Sequence, residues 1–198
     1  LEGMAIAAHA VGADRGMIYL RSEYPAAIAV MSDAIEKARA RGWLGEGILG
    51  SSCNFDVTIR VGAGSYVCGE ETAMLESLEG RRGTVRAKPP LPAIEGLFGT
   101  PTVINNVLTI ASVPSILARG PEAYAELGQE RSRGTQVFQL AGNIARGGIV
   151  EVAFGISAHE LIFGLGQGTK SGRPLKAVQV GGPLGAYLTA DALQVPMA

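Results

Sequence analysis

Apolar residues recur every three or four positions between residues 24 and 38, which predicts an amphipathic helix. The apolar stripe of this helix consists of Tyr24, Ile28, Met31, Ile35 and Ala38. A short apolar run over 16–20 predicts a strand before it, with Ser22 as the helix N-cap and Pro25 in the first turn. Small and apolar residues over 1–11, followed by a glycine, predict an earlier helix. The chain is therefore expected to begin as helix, strand and helix.

Apolar and polar residues then alternate strictly over 55–61, which is the pattern of a half-buried strand. A glycine-rich loop over 62–69 follows this strand, and residues 70–79 form the next predicted helix. Glycines between a strand and a helix allow backbone amides to approach a ligand closely. The order of strand, glycine loop and helix therefore marks a candidate binding site.

The glycine loop departs from the usual dinucleotide-binding fingerprint. Val67 stands where the third glycine would be, and Glu70 and Glu71 open the helix where a pyrophosphate is normally held. Because these carboxylates would repel a phosphate, we expect the loop to meet a ring system, a ribose or an amide. The alternative is a tight turn whose two acids only stabilise the helix dipole.

Residues 81–103 are rich in proline and glycine and predict an extended functional loop. Four cations lie near its start: Arg81, Arg82, Arg86 and Lys88. One interpretation is a solvated charge run beside the end of a helix, where cations are favourable. The other is contact with a phosphate or carboxylate of a cofactor, with Lys88 aimed by the prolines that follow it.

A further helix is predicted to begin at Asn105 or Asn106 and to reach toward Ala118, with a kink or restart near Pro114. The two asparagine amides are either simple helix caps or contacts for the edge of a flavin ring, which offers several donors and acceptors. A short helix is predicted over 122–127.

The pattern changes after residue 134. Two strand-like runs lie over 135–141 and 148–153, and residues 157–160 form a capping box that starts a short helix. Another strand is predicted over 175–180. Residues 131–184 therefore form a β-β-α-β unit, which we interpret as a small β-grasp-like domain.

The protein has 198 residues, of which 17 are basic and 18 acidic, and a mean hydropathy of +0.23. These values are typical of a compact protein with an apolar core. The balanced charge lacks the basic field that nucleic-acid or anionic-membrane binding uses. No apolar run reaches the roughly 18 residues that a membrane span requires. We expect neither a nucleic-acid partner nor direct membrane insertion.

The chain has two cysteines and two histidines, too few for the close ligand pairs of a structural zinc site. It contains no Ser-His-Asp or paired-acid pattern, so we predict no catalytic residue and no metal ligand within it. The chain begins at Leu1, already inside a predicted helix, and we therefore expect a piece of a longer polypeptide.

Three motifs together resemble the family of NADH-binding flavoprotein subunits: residues 62–73, 86–93 and 96–107. This family includes the flavoprotein subunit of respiratory complex I, the diaphorase subunit of NAD-reducing hydrogenases and the β subunit of soluble NAD-dependent formate dehydrogenase. Four further segments look most like the formate dehydrogenase branch, namely residues 131–135, 138–143, 171–174 and 179–188.

The resemblance implies an α/β fold with a Rossmann-like domain that binds FMN and NAD(H) and is incomplete at its N-terminus. A β-grasp domain of the SLBB type would follow it. On this basis residues 1–130 form the cofactor-binding domain and residues 131–184 the β-grasp domain. Residues 185–198 are a linker toward a missing iron-sulfur domain, and a 4Fe-4S cluster is expected only there.

The family's chemistry is hydride exchange between NAD(H) and FMN, followed by transfer of single electrons to or from the cluster. Carried over motif by motif, the expected FMN-binding residues are Gly62, Gly64, Tyr66, Gly69, Glu70, Ile104, Asn105, Asn106 and Thr109. Glu71 and Lys88 would lie toward NAD(H), and the acids would suit a cofactor without a 2′-phosphate.

The formate dehydrogenase branch also implies a cytoplasmic location and two partners, a molybdenum-containing α subunit and a small iron-sulfur γ subunit. Two alternatives stay open. One is the complex I flavoprotein subunit, and the other is a non-catalytic scaffold that keeps the glycine loop without its chemistry.

Two positions depart from the family pattern. Leu91 stands where many members have phenylalanine, which removes an aromatic ring from the nucleotide side of the expected site. Leu108 replaces a common glutamate, so one polar contact near the flavin is missing.

Overall fold

The computed structural model describes residues 1–197, apart from the side chain of Pro183, and divides into two compact units, Leu1–Ser115 and a second that begins at Ile116. The first unit mixes helices with a parallel strand pair. Its elements are α1 (Glu2–Val11), β1 (Arg15–Arg21), α2 (Pro25–Ala40), β2 (Asp56–Gly62), α3 (Glu71–Leu78) and the start of α4 (Val107–Arg119).

Strands β1 and β2 pair in parallel, in a register that joins Arg15 to Asp56 and Arg21 to Gly62. Parallel neighbours need a crossover connection, which α2 and the segment after it provide. The carboxyl ends of both strands therefore meet at one edge, and the glycine loop begins at this edge.

The core of the first unit lies between α2 and β2. Val57 is fully buried, and Phe55, Ile35 and Ala38 are nearly so. The Arg39 guanidinium donates to both carboxylate oxygens of Asp56, at 2.8 and 2.9 Å, and to the carbonyl of Val57. The apolar stripe predicted for α2 is thus confirmed at its C-terminal half.

The beginning of α2 differs from the prediction. Tyr24 occupies the N-cap position without a side-chain cap and is 52% exposed, so it is not part of the buried stripe. Ser22 does not cap the helix, because it lies two residues before the N-cap position; its hydroxyl donates to the neighbouring Glu23 carboxylate at 3.3 Å. Pro25 occupies the first turn as predicted.

Helices α1 and α4 approach each other very closely at Gly3. A Cβ atom at this buried position would lie 2.0 Å from the carbonyl oxygen of Ile110, so only glycine fits. Pro114 lies inside α4 without ending the helix.

The second unit begins with the remainder of α4 and contains short strands in antiparallel pairs. Its further elements are α5 (Pro121–Ala125), β3 (Gly128–Gln129), β4 (Ser132–Arg133), β5 (Thr135–Leu140), β6 (Gly148–Ala153), a π-helix (Glu160–Leu165), β7 (Ala177–Val180) and β8 (Ala186–Thr189). Strand β3 pairs with β4, β5 with β6, and β7 with β8. Ala158, Ile162 and Leu193 form its buried cluster.

Two features of this unit differ from the prediction. The Ser157 hydroxyl accepts the Glu160 amide at 3.1 Å, as a capping box requires, but the helix that follows is a π-helix. The two-residue strands β3 and β4 and strand β8 were not predicted. Strand β8 lies within residues 185–198, the segment that was expected to be a linker.

Among residues 1–197, no helix combines the length and the apolar character needed to cross a membrane.

Removing two methyl groups from the core should cost far more stability than removing them from the surface. We expect Val57→Ala to lower the free energy of unfolding by about 2 kcal/mol, through lost burial and a residual cavity. The matched control is Val30→Ala on α2, where valine is 69% exposed. Its effect should be close to zero in urea unfolding, and equal effects of the two variants would contradict the core assignment.

Candidate functional site

Glu70 caps the N-terminus of α3 with its side chain. Its Oε2 atom accepts hydrogen bonds from the amides of Thr72 and Ala73, at 2.9 and 2.8 Å, and from the Thr72 hydroxyl at 2.6 Å. The Thr72 hydroxyl lowers the pKa of Glu70 below its ordinary value, against the opposing effect of burial. Glu70 is therefore a fixed, ionised carboxylate at the positive end of the helix dipole.

Lys88 lies between the two acids that open α3. Its ammonium donates to Glu70 Oε1 at 3.3 Å and to Glu71 Oε1. The Glu71 contact, followed by the Glu70 contact, raises the pKa of Lys88. The side chains of Glu70, Glu71 and Lys88 are 32%, 38% and 34% exposed, so an incoming ligand can reach all three.

Gly62 ends β2 at a point of close packing. A Cβ atom there would lie 2.7 Å from the hydroxyl of Tyr19, which is hydrogen-bonded at 2.9 Å to Ser77 Oγ. Glycine thus lets Tyr19 of β1 reach over the end of β2 to α3. This contact fixes the first residue of the glycine loop against the helix that follows it.

The rest of the glycine loop is open on one side. Gly64 has a φ of +87°, and the nearest atom to a Cβ there would be 3.9 Å away. At Gly69 no atom lies within 4 Å of the Cβ position, and Tyr66 is 71% exposed. A planar ligand therefore has access to the loop backbone and to the Tyr66 ring.

The remaining predicted site residues lie at and before the start of α4. Ile104 is half-buried, whereas Asn105, Asn106 and Thr109 are exposed. The Asn106 side chain accepts the Leu108 amide at 2.8 Å, so Asn106 acts as a helix cap. Across residues 1–197, no hydrogen bond or ion pair joins these four residues to the glycine loop.

Arg81 and Arg86 serve a different purpose from Lys88. Both guanidinium groups donate to the carboxylates of Glu76 and Glu79 near the C-terminal end of α3. Arg86 also donates to the carbonyl of Gly96 at 3.2 Å. Both arginines are therefore paired within the protein, which contradicts a cofactor-binding role for them. Arg81, 58% exposed beside the end of α3, still fits the interpretation of a solvated charge at a helix C-terminus, whereas Arg86 is only 25% exposed and does not.

Both acids of this network have a lowered pKa. Arg81 and then Arg86 lower the pKa of Glu76 to about 2. Burial raises the pKa of Glu79, but the Phe98 amide, at 2.7 Å, and the Arg86 guanidinium outweigh it and hold that pKa below its ordinary value. The network therefore keeps both carboxylates ionised and ties the loop to α3.

Three residues of this region were not predicted from the sequence: Thr72, Glu76 and Glu79. Glu76 and Glu79 are three residues apart on one helix and precede the basic cluster, which is a usable signal for ion pairing. Thr72 offers no local signal, because its second partner, the Arg86 amide, lies 14 residues away along the chain.

Two cavities lie outside the predicted site. A cavity of about 440 Å³ lies between α3 and the following loop, lined among others by Leu75, Glu79 and Phe98. A second, of about 570 Å³, lies in the second unit beside His159 and Phe163. Within the described part of the chain, none of the residues predicted to bind FMN or NAD(H) lines either cavity.

Residues 1–115 match the family model of the Nuo51 FMN-binding domain. The chain belongs to this family. The match covers the glycine loop, the acid pair, Lys88 and the start of α4, and it confirms the predicted resemblance to the NADH-binding flavoprotein subunits.

Named relatives extend the similarity over almost the whole chain. The chain is 48% identical to HndC, a subunit of the NADP-reducing hydrogenase of Solidesulfovibrio fructosivorans, over 98% of this chain and 40% of that protein. It is 47% identical to the F 2 subunit of the NADH-quinone oxidoreductase of Rhizobium meliloti, over 100% of this chain and 47% of the relative. The chain thus spans less than half the length of either protein.

A solved structure is also similar. The crystal structure of a NAD+-reducing NiFe hydrogenase in the H2-reduced state matches with a TM-score of 0.86 and 37% identity, over 99% of this chain and 33% of that chain. The mixed helix and strand fold is therefore shared with part of one chain of that hydrogenase.

The lowered pKa of Glu76 predicts a defined loss of stability in acid. Because its pKa falls from 4.5 to about 2 in the folded protein, the ionised network stabilises the fold fully above about pH 4.5. That contribution should disappear as the pH falls from 4.5 toward 2. We expect Glu76→Gln to be less stable at pH 7 and to lose less stability over this interval, measured by urea unfolding at each pH.

The control for this experiment is Glu46→Gln, because Glu46 is exposed and outside the network. Its acid profile should follow that of the unmodified protein. An identical profile for Glu76→Gln would show that the network does not couple folding to pH.

Proposed function

We propose that this chain is part of an FMN-dependent NAD(H) oxidoreductase subunit. The observation that carries the proposal is the position of Lys88 between Glu70 and Glu71, beside an open glycine loop, in a chain of the FMN-binding family. The two acids and the cation are reachable by a ligand, and each is held by named partners. Such an arrangement can bind the ribose hydroxyls and amide of a nucleotide.

The residues present fit a flavin. The uncovered backbone at Gly64 and Gly69 and the exposed ring of Tyr66 leave space for a planar group beside the loop. We propose that FMN is held by the loop and by the start of α4, through Gly62, Gly64, Tyr66, Gly69, Glu70, Ile104, Asn105, Asn106 and Thr109. When bound, FMN accepts or donates a hydride with NAD(H) and exchanges electrons singly with an iron-sulfur cluster.

Glu71 and Lys88 are proposed to act on NAD(H). A carboxylate can accept hydrogen bonds from ribose hydroxyls, and an ammonium can donate to a carbonyl or phosphate oxygen. The local charge of the two acids opposes a 2′-phosphate, which favours NAD(H) over NADP(H) at this position. Lys88 limits the repulsion between the acids before a nucleotide binds.

The finer description of the fold is also a proposal. The parallel pair of β1 and β2 with a helical crossover supports a Rossmann-like domain, and the antiparallel strands after residue 134 support an SLBB-type β-grasp domain. The assignment of residues 1–130, 131–184 and 185–198 to a cofactor domain, a β-grasp domain and a linker stays a prediction. The same holds for a 4Fe-4S cluster beyond this chain and for a cytoplasmic location.

Within the family we propose the formate dehydrogenase β branch, supported by the four segments between residues 131 and 188 that resemble it. This assignment predicts a molybdenum-containing α subunit and a small iron-sulfur γ subunit as partners. The relatives found bear hydrogenase and NADH-quinone oxidoreductase names, so the complex I flavoprotein subunit is the alternative. Purification of the native complex, followed by identification of its subunits, separates the two.

The activity itself is tested with the full-length protein that contains this chain. The protein is reconstituted with FMN, and NADH-dependent reduction of an artificial electron acceptor is measured. We expect reduction that depends on both FMN and NADH. A protein that binds no FMN and reduces no acceptor would support the scaffold alternative and overturn the proposal.

Removal of the Glu71 carboxylate should impair NADH use without releasing the flavin. We expect Glu71→Ala to raise the NADH KM by about tenfold or to slow flavin reduction, because one charge-assisted hydrogen bond to the nucleotide is lost. The matched control is Glu36→Ala on the exposed face of α2. Unchanged KM and reduction rate in Glu71→Ala would remove this residue from the site.

A further inference from the structure

Thr72 is the one polar residue among the fully buried side chains of residues 1–197, with 1% of its surface exposed. Its hydroxyl donates to Glu70 Oε2 at 2.6 Å and accepts the backbone amide of Arg86 at 2.9 Å. A hydroxyl has one proton to donate, and here that proton and an acceptor position are both used. Thr72 therefore joins the cap of α3 to the loop that carries Lys88.

We infer that Thr72 is a positioning residue for nucleotide binding, acting through Lys88 and without touching the ligand. This inference rests on the proposed function, because it assigns Thr72 to the same site. It names a residue that neither the sequence motifs nor the comparisons single out.

The geometry forms a closed chain of contacts. Arg86 is two residues before Lys88, so the bond from Thr72 to the Arg86 amide fixes where the backbone enters Lys88. The Lys88 ammonium then returns to Glu70 and Glu71. One carboxylate, Glu70, thus contacts Thr72 through one oxygen and Lys88 through the other.

The loop has a second attachment to α3, through the Arg86 side chain, that does not depend on Thr72. The Arg86 side chain is held by Glu79 at 2.7 Å, by Glu76 and by the carbonyl of Gly96. Loss of the Thr72 hydroxyl leaves these contacts in place. The loop should therefore stay attached to α3 while the backbone next to Lys88 gains freedom.

The test measures the reactivity of the Lys88 amine, which rises when the amine is released from Glu70 and Glu71. An amine-reactive ester labels the full-length protein that contains this chain, and mass spectrometry gives the labelling rate of Lys88 relative to Lys37. Lys37 is a suitable reference because it pairs with Asp33 on α2, away from the site. We expect Thr72→Val to raise this ratio about fivefold, the factor typical of one lost hydrogen bond.

Two further variants distinguish the hydroxyl from general packing. Thr72→Ser keeps the donor and acceptor and should leave the ratio within about twofold of the original. Thr102→Val is the matched control, because the Thr102 hydroxyl also makes two hydrogen bonds in the same loop, to the Leu97 amide and the Thr100 carbonyl, both at 2.9 Å. It should not change Lys88 labelling.

The kinetic readout tests the link to function. In Thr72→Val the NADH KM should rise about fivefold, with kcat and FMN content little changed. Unchanged Lys88 labelling together with a lower melting temperature would make Thr72 merely structural and overturn the inference. Increased labelling with an unchanged KM would overturn its role in nucleotide binding.

Failure of the proposed function looks different from these outcomes. If the unmodified protein shows no NADH oxidation, the function fails whatever the labelling shows. If Thr72→Val does not fold, the inference is tested on the unmodified protein by the rate of amide hydrogen exchange at Arg86. The Arg86 amide should then be protected like the amides of α3, and exchange as fast as at exposed Arg82 would overturn the inference.

Discussion

The hydrogen bonds of the Glu70 carboxylate are the interactions on which the rest of the site depends. Helix α3 has eight residues, and a helix this short gains little stability from its own backbone hydrogen bonds. Glu70 satisfies two amides at its first turn that have no partner within the helix. The same side chain holds the Thr72 hydroxyl and the Lys88 ammonium. One carboxylate thus starts the helix and places the cation of the site.

Helix α3 carries acids at both ends, and only one end suits them. At the N-terminus the helix dipole favours Glu70 and Glu71, whereas near the C-terminus it opposes Glu76 and Glu79. Arg81 and Arg86 compensate for this unfavourable position, because their guanidinium groups meet both acids. The helix and the loop that follows it therefore stabilise each other through these ion pairs.

Local pattern was sufficient to predict most helices and longer strands. The spacing in α2, the alternation in β2 and the sequence of strand, glycine loop and helix all correspond to the structure. The local pattern gave a wrong prediction where contacts between distant residues determine the structure. Tyr24 fits the apolar spacing, but it precedes the first turn and stays exposed. The π-helix after Ser157 has the cap of an ordinary helix, so its different hydrogen bonding has no local signature.

In the candidate site too, contiguous motifs could be predicted from the sequence, whereas contacts between distant residues could not. The glycine loop and the acid pair are visible as a motif, since they are contiguous in the sequence. The family resemblance placed Glu71 and Lys88 on the NAD(H) side, but the contact of Lys88 with both acids, 17 and 18 residues away, was not predicted, because a charge cluster does not specify its partners. The buried Thr72 link could not be predicted, since it depends on the fold of a loop without regular secondary structure.

The loop contains two kinds of ion pair, which differ in how deeply they are buried. Glu79 is 4% exposed and Arg86 25%, so a ligand that displaced either would leave a charge without a partner in a poorly hydrated place. Lys88 and Glu71 are 34% and 38% exposed, and water and salt can screen them when they separate. A nucleotide can therefore replace the contact between Lys88 and Glu71 with its own hydrogen bonds at little cost. We propose that the buried pair holds the loop while the exposed pair exchanges partners, so that binding need not disturb the fold that presents the site.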